Sequence, residues 1–296
     1  MMRGKIMRTY RLIIFLLAFF SLSFMNGLFA SPDSSATRVL YQINLRDGSK
    51  LVGSIVKQDS STISFKTAAN ISIEIPRDQV ESIRELAGSM VRGRYYRPDP
   101  NQTRLLFAPT ARTLKSGQGY FSAYQIFFPF VAVGVTGFIT LAGGMSLLPG
   151  ANEQLFYLAP KIRFAHLQDF DLAGGILYIA PTGADDSGGG IAYGVTTYGS
   201  AKTALTLGLG WGFAGDDFAE KPVVMIGGEV RTSHKTKLIS ENWLIPDSDV
   251  NLLSFGIRFF GENLAADFAL IYPTAADMDG FPFFPWVGFA YNFGSK

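Results

Sequence analysis

The chain has no cysteine and little charge. Charged residues make up 17% of its 296 residues, against about 25% in ordinary soluble domains. The lack of cysteine excludes a disulfide framework, a thiolate metal site and a lipid anchor on an N-terminal cysteine. Since 48% of the residues are hydrophobic, the composition is typical of a protein in contact with a membrane.

An excess of basic charge is also lacking once the first 30 residues are set aside. Arg3, Lys5, Arg8 and Arg11 precede the first acidic residue, Asp33, so 22 basic and 24 acidic residues remain after residue 30. A mildly acidic chain has no global basic field, and we predict no nucleic-acid partner.

Residues 1 to 30 have the organisation of a secretory signal. A basic start is followed by an apolar run at 12 to 20 and by small and apolar residues up to Ala30. We predict export with cleavage near Ala30, and an uncleaved membrane anchor is the alternative. Both interpretations export the remaining chain.

Apolar side chains recur at every second position where a helical membrane protein would have long apolar runs, most clearly at residues 203 to 213. The apolar face consists of Leu205, Leu207, Leu209, Trp211 and Phe213, and the opposite face of Ala204, Thr206, Gly208, Gly210 and Gly212. A soluble sheet would carry charged residues on its second face. Glycine and threonine there indicate a membrane barrel with its apolar side toward lipid.

The same pattern recurs to the end of the chain and predicts an all-β fold, an antiparallel up-and-down barrel of about twelve transmembrane strands, with ten or fourteen as alternatives. Spans of about 9 to 11 residues and an even number of strands are the rule for such barrels. The predicted strands are Arg104 to Arg112, Gly119 to Val133, Phe138 to Leu147, Leu155 to Leu167, Asp169 to Pro181, Gly190 to Tyr198, Lys202 to Ala214, Lys221 to Thr232, Lys237 to Ile245, Val250 to Phe260, Leu264 to Tyr272 and Phe284 to Phe293.

A transmembrane helix is the competing interpretation of residues 116 to 152, which contain no charge. Pro129, Gly134, Gly137, Gly143 and Gly144 interrupt that stretch every few positions, and valines at 131, 133 and 135 have strand spacing. We therefore predict strands here.

Residues 38 to 86 form a separate unit with more charge and five short predicted strands, which we place in the periplasm as a small β-barrel. The order of the segments 45 to 55 and 73 to 83 resembles an Sm-like or SH3-like barrel, which implies the fold and no RNA ligand. Residues 87 to 102, rich in arginine, tyrosine and proline, are the predicted linker, and the membrane barrel is assigned to residues 103 to 296.

The last strand places Val287, Phe289, Tyr291 and Phe293 on one face. It is similar to the aromatic closing strands that the barrel-assembly machinery recognises. With the segments at 104 to 111, 119 to 121 and 138 onward, the chain resembles a family of uncharacterised bacterial outer-membrane β-barrel proteins. We expect the protein in the outer membrane, in contact with its lipid and with the assembly machinery, and a periplasmic protein partner for residues 38 to 86.

A set of charged residues falls on the glycine face and is predicted to point into the lumen. Charge on the lipid face would cost about 2 to 4 kcal/mol at the midplane. Glu241 and Asp171 are less firmly placed on this face, and Gly208, Gly210 and Gly212 are expected to make room for its long side chains. The predicted lumen-facing set is Lys161, Arg163, Glu229, Arg231, Arg258 and Asp267.

Candidates for chemistry are few, because the chain has two histidines, His166 and His234. Ser233, His234 and Asp171 are the available hydrolase triad, with nothing in the sequence to bring them together. The acid pairs at 185 and 216 lack the ligand spacing of a calcium loop. We predict no catalytic residue, no metal site and no cofactor.

Three functions follow from these observations. A channel or transporter for small solutes with a docking domain is favoured, because charges of both signs could select solutes in a polar lumen. A non-conducting anchoring or assembly protein of the outer membrane is the alternative. A barrel-embedded lipid-modifying enzyme is the third.

Overall fold

The computed structural model describes residues 39–67, 69–86, 88–91, 94–183, 188–246, 248–274 and 281–294. The predicted secretory sequence and the acid pair at 185 and 186 lie outside these residues.

The first unit is a five-stranded antiparallel sheet in the order β4-β3-β2-β1-β5. Alternation along the strands buries Ile43, Ile63, Phe65 and Ile75 in one cluster. Five strands were predicted here, whereas the likeness to an Sm-like barrel stays a prediction. The strands are β1 Leu40–Leu45, β2 Lys50–Gln58, β3 Thr62–Thr67, β4 Ser72–Pro76 and β5 Val80–Leu86.

The turn between β2 and β3 is held by the carboxylate of Asp59. Its Oδ1 accepts the backbone N–H groups of Ser61 and Thr62, each at 2.8 Å. The hydrogen bonds from Ser61 and then Thr62 hold the pKa of Asp59 below its ordinary value.

A short hairpin follows, made of β6 Ser89–Val91 and β7 Arg94–Tyr96. The predicted linker at 87 to 102 therefore contains paired strands, although proline and arginine indicated that pairing would be broken there. Residues 97 to 102 follow the hairpin and belong to no strand.

The second unit is a closed antiparallel barrel of twelve strands, as the alternation predicted. Consecutive strands pair, β13 pairs with β14, and the last strand pairs with the first to close the wall. A two-residue strand, β15 Asp217–Phe218, extends the hairpin after β14. The twelve strands of the wall are β8 Gln118–Tyr124, β9 Phe128–Thr136, β10 Ile139–Met145, β11 Leu155–Leu167, β12 Phe170–Pro181, β13 Gly189–Gly199, β14 Thr203–Ala214, β16 Val223–Arg231, β17 Thr236–Leu244, β18 Leu252–Phe260, β19 Leu264–Pro273 and β20 Phe284–Gly294.

The outer surface of this wall is apolar, as the alternation in β14 illustrates. Leu205, Leu207, Leu209 and Trp211 are exposed on it, while Thr206 is buried on the inner side. Exposed valine, leucine and phenylalanine side chains continue the belt around β9, β11 and β18 to β20. An apolar belt on a closed barrel is the surface that lipid covers.

The two ends of the barrel differ in their connections. Turns of two to four residues join the strands at one end, where β8 begins and β20 ends, and we call it the short-turn end. Most connections at the other end, the long-loop end, have seven to ten residues. In bacterial barrels short turns are periplasmic and long loops are extracellular.

Two predictions at the front of the barrel are wrong. Residues 104 to 112 form no strand of the wall, and residues 119 to 133 belong to two strands, β8 and β9, which turn at Gln125 and Ile126. These two residues have φ of 48° and 67°. Such values are rare for a β-branched residue such as Ile126. Neither glycine nor asparagine stands at these two positions, so nothing in the sequence marks the turn. The two errors compensate in the count of twelve.

The competing helical interpretation of residues 116 to 152 is also wrong, since β8, β9 and β10 occupy them. In the part of the chain that the structure describes, no helix is long and apolar enough to cross a membrane.

Candidate functional site

Residues 98–115 lie inside the barrel, and we call this segment the plug. It bends back on itself at residues 105 to 108. Leu105 N donates to Ala108 O at 2.9 Å, Thr110 N donates to Thr103 O at 3.0 Å, and Arg104 and Pro109 form an isolated bridge. Both ends of the plug continue into chain at the short-turn end, so it enters and leaves the barrel on the same side.

The tip of the plug is bound by one carboxylate of the wall. Glu241 Oε2 accepts the backbone N–H groups of Leu106, Phe107 and Ala108 at 2.9, 2.9 and 3.0 Å. Its other oxygen accepts the indole N–H of Trp243 at 2.8 Å. Glu241 therefore satisfies three donors that the bend leaves without backbone partners.

Arg258 and Asp267 of the wall bind the incoming arm. Arg258 Nε lies 2.6 Å from Asp267 Oδ1, and its Nη1 lies 3.1 Å from Asp99 Oδ2. The guanidinium also donates to the carbonyls of Asn101 at 2.8 Å and Leu105 at 2.5 Å. Neither Arg258 nor Asp267 is exposed to solvent, and buried charge of this kind is stable only when paired.

A second ion-pair group binds the returning arm. Arg112 Nη1 lies 2.6 Å from Glu229 Oε1, and Lys237 Nζ lies 2.9 Å from Glu229 Oε2. Lys237 Nζ also lies 3.1 Å from Asp99 Oδ2. Since Asp99 contacts both Lys237 and Arg258, it joins the two groups into one network.

Lys161 holds the two arms together. Its Nζ donates to the carbonyls of Thr103, Thr110 and Arg112 at 3.0, 2.9 and 2.6 Å. The ammonium has three donors, and all of them are used on the plug.

Glycines of the wall make room for apolar side chains of the plug. A Cβ on Gly227 would lie 2.2 Å from Leu105 Cδ1, and one on Gly256 would lie 3.0 Å from Leu106 Cδ2. We predicted instead that Gly208, Gly210 and Gly212 make room for charged side chains. That prediction is wrong, because the nearest side chains there belong to Met225, Ile191 and Ala219.

We expect Gly227→Ala to loosen the plug by about 1–3 kcal/mol, the usual cost of overpacking a filled core. In an Ala108→Cys background, maleimide should then label the cysteine about tenfold faster or more. Gly208→Ala is the matched control, since its Cβ would make ordinary van der Waals contacts, the nearest with Met225 Cε at 3.4 Å. Equal labelling of the two variants would contradict the contact between Leu105 and Gly227.

The predicted lumen-facing set divides into two groups. Lys161, Glu229, Arg258 and Asp267 are buried against the plug. Arg163 lies at the short-turn end, where its Nη2 donates to Gly137 O at 2.9 Å and its Nη1 is 3.6 Å from Asp171.

Arg231 belongs with Arg163 at the short-turn end. Its guanidinium donates to the carbonyls of Ser233 and His234 at 2.9 and 2.7 Å. It also lies 4.9 Å from the ring centroids of Tyr96 and Phe260. These contacts hold the Arg231 side chain against the turn that follows β16.

Three charged residues of the plug itself, Asp99, Arg104 and Arg112, are absent from the predicted lumen-facing set. They lie in the predicted linker and in a predicted strand of the wall. Two arginines eight residues apart fit the alternation of a strand as well as they fit a buried hairpin, so the local pattern contains no distinguishing sign.

The proposed triad is not assembled in the described residues. Asp171 Oδ1 lies 2.6 Å from His166 Nδ1 and pairs with Arg163. His234 lies on the turn after β16, 6.4 Å from the ring of Tyr96. Asp171 therefore contacts His166 and not His234 of the proposed triad, and the His166 side chain is mostly exposed.

A cavity of about 390 Å³ lies between the plug and the long-loop end, within the range usual for small-molecule sites. Phe107 at the tip of the plug and Arg104 form part of its floor. The lumen was predicted to be polar, whereas this half of it is aromatic and aliphatic. The aromatic lining residues are Phe107, Tyr120, Tyr124, Phe128, Phe130, Tyr157, Tyr193, Trp243 and Trp286.

A closed twelve-strand antiparallel wall with an apolar outer belt and a polar interior is the architecture of an outer-membrane β-barrel. No protein-family model matches the chain, and no curated protein matches it in sequence. Several solved outer-membrane barrels are similar to it in structure.

Three of these solved structures serve as examples. The KdgM porin in complex with disordered oligogalacturonate is 7% identical, with a TM-score of 0.46 over 60% of this chain and 98% of that one. Omp33 of Acinetobacter baumannii is 8% identical, with a TM-score of 0.37 over 60% and 96%. A mutant of the Rh. blastica porin is 11% identical, with a TM-score of 0.34 over 86% and 99%.

Proposed function

We propose that this protein is a gated outer-membrane transporter for small solutes, closed by the plug. The observation that carries the proposal is how the plug is held. In the described residues, side chains of the wall bind residues 98–115, and no backbone ladder joins the plug to a wall strand. A segment bound in this way can leave the lumen as a unit without opening the barrel wall.

The chain continues directly from the five-stranded sheet through the hairpin β6–β7 to the plug. Arg84 of β5 pairs with Glu262 on a turn of the short-turn end. With the short turns on the periplasmic side, the sheet is periplasmic too. A periplasmic protein that binds the sheet could thereby pull the plug, which is the role we propose for residues 38 to 86.

A disulfide between the plug and the wall tests the gating. The chain contains no cysteine, so Leu105→Cys with Gly227→Cys creates a single pair at a point of contact. In planar bilayers we expect transient openings of the reduced double variant and at least a tenfold loss of open time when it is oxidised. The two single-cysteine variants, treated with the same oxidant, should keep their openings.

Absence of openings in the wild type and in the reduced variant, with folded barrels, would overturn the transporter. Openings that persist after complete oxidation would contradict plug displacement as the gate.

The alternative function is a non-conducting barrel that anchors the periplasmic sheet. The buried ion-pair network favours it, because release of the plug separates Asp99 and Arg112 from their partners in the wall, and breaking a buried pair is costly. Deletion of residues 40–86 separates the two functions. An anchor loses its cellular phenotype with the sheet, whereas a transporter keeps conducting when its plug is released.

A further inference from the structure

The floor of the cavity contains buried hydrogen-bond donors without acceptors. Nε and Nη2 of Arg104 and Nε1 of Trp286 are buried and have no partner in the described residues. Both residues line the cavity, and Arg104 is 97% buried by its relative exposure of 3%. Most buried donors in proteins are paired, and an unpaired one calls for an explanation.

The guanidinium of Arg104 is used on one side only. Its Nη1 donates to Asp267 Oδ2 at 2.7 Å and to Leu106 O at 2.8 Å, and its plane lies over the ring of Tyr124 at 5.2 Å. The remaining donors, Nε and Nη2, form the edge that binds a carboxylate through two parallel hydrogen bonds. The unpaired atoms therefore match a bidentate oxygen ligand.

The charges around the plug leave one cation in excess. Five cations and four carboxylates make the contacts described above. Asp171, also buried, pairs with Arg163 at the rim. The cations are Arg104, Arg112, Lys161, Lys237 and Arg258, and the carboxylates are Asp99, Glu229, Glu241 and Asp267.

The cavity above these donors is apolar. Phe107, Tyr124 and Trp286 pack against one another, with ring centroids 5.2 to 6.2 Å apart. Ile179, Ile191 and other aliphatic residues line the wall beyond the rings. A ligand that fills this space is apolar over most of its surface.

We infer that the cavity binds a small carboxylic acid with an apolar body. Its carboxylate meets Arg104 and Trp286, and its aromatic or aliphatic part fills the space toward the long-loop end. This inference names the substrate class of the proposed transporter and so rests on that function, although binding itself does not require the plug to move.

Calorimetry on the full chain in lipid nanodiscs tests the inference, with empty nanodiscs as the blank. The probes are 4-phenylbutyrate and octanoate, each against its methyl ester. We expect each acid to bind at least tenfold more tightly than its ester, because the ester cannot form the charge-assisted pair. Arg104→Lys and Trp286→Phe should each weaken acid binding about tenfold and weaken ester binding by a smaller factor, so that the preference for the acid falls.

Two further variants locate the site. Gly208→Phe adds a ring to the cavity lining, where a Cβ would make only ordinary contacts, and should abolish binding of acids and esters alike. Arg163→Gln, at the short-turn end, should bind every probe as the wild type does.

Equal affinity for acid and ester would overturn the carboxylate assignment, and no binding of any probe would overturn the site. Trp286 is not one of the charged residues that hold the plug. The result for Trp286→Phe therefore remains interpretable even if Arg104→Lys displaces the plug. Binding of acids by a barrel that never opens would support this inference and contradict the proposed transporter. Openings without acid binding would do the reverse.

Discussion

Arg258→Met is expected to release the plug and give a barrel that stays open. The substitution takes one of two cationic partners from each of Asp267 and Asp99, which stay buried with Arg104 and Lys237 respectively. It also removes donors from the carbonyls of Asn101 and Leu105. Removal of one partner from a buried ion pair costs about 3–5 kcal/mol. Because about 1.4 kcal/mol is a factor of ten, the open fraction in single-channel recordings should rise by at least a hundredfold.

A conservative variant separates loss of the ion pairs from general damage. Arg258→Lys keeps a cation near Asp267 and Asp99 but loses the forked donor geometry, so its open fraction should fall between those of the wild type and Arg258→Met. Arg163→Met is the control for loss of a cation at the short-turn end. Its pair with Asp171 is long and partly exposed, and such pairs contribute about 0–1 kcal/mol. An Arg258→Met barrel that folds and stays closed would show that the network does not hold the plug.

Glu241→Ala is expected to free the tip of the plug. It leaves the N–H groups of Leu106, Phe107 and Ala108 without an acceptor in a buried site. Each unsatisfied buried donor costs about 1–3 kcal/mol, so the tip should open more easily by at least about 3 kcal/mol. Hydrogen exchange at these three amides should accelerate at least a hundredfold.

Glu241→Gln keeps one carbonyl oxygen and loses the charge, so its exchange should lie between that of the wild type and Glu241→Ala. Glu153→Ala, on an exposed loop at the long-loop end, should leave the three amides unchanged. Fast exchange in the wild type at residues 106 to 108 would contradict the role of Glu241.

The fold follows from local pattern wherever a strand lies in the wall. Leu205 to Trp211 alternate with glycine and threonine, and the same period sets the strands from Leu155 to the end of the chain. Residues close in sequence determine the two-residue period, the turns at regular intervals and the apolar outer face. For that reason the strands from Leu155 onward and the lipid face were predictable.

The errors lie where long-range contact decides the structure. Residues 104 to 112 alternate like a strand, and no local feature distinguishes a strand in the wall from a hairpin inside it. The turn at Gln125 and Ile126 contains no typical turn residue. The pairing of β8 with β9 on either side holds its backbone in place instead. Neither outcome is encoded within a window of a few residues.

By itself the sequence determined the membrane barrel, its strands from Leu155 onward and the inward side of Lys161, Glu229, Arg258 and Asp267, because the cost of charge in lipid acts on each strand separately. Only the tertiary structure decided what those charges do. Asp99 meets Arg258, and Glu241 meets the tip of the plug, across 133 to 159 residues of chain. Such pairs depend on closure of the barrel around the plug, so the closed lumen and the aromatic cavity above it follow from the folded structure alone.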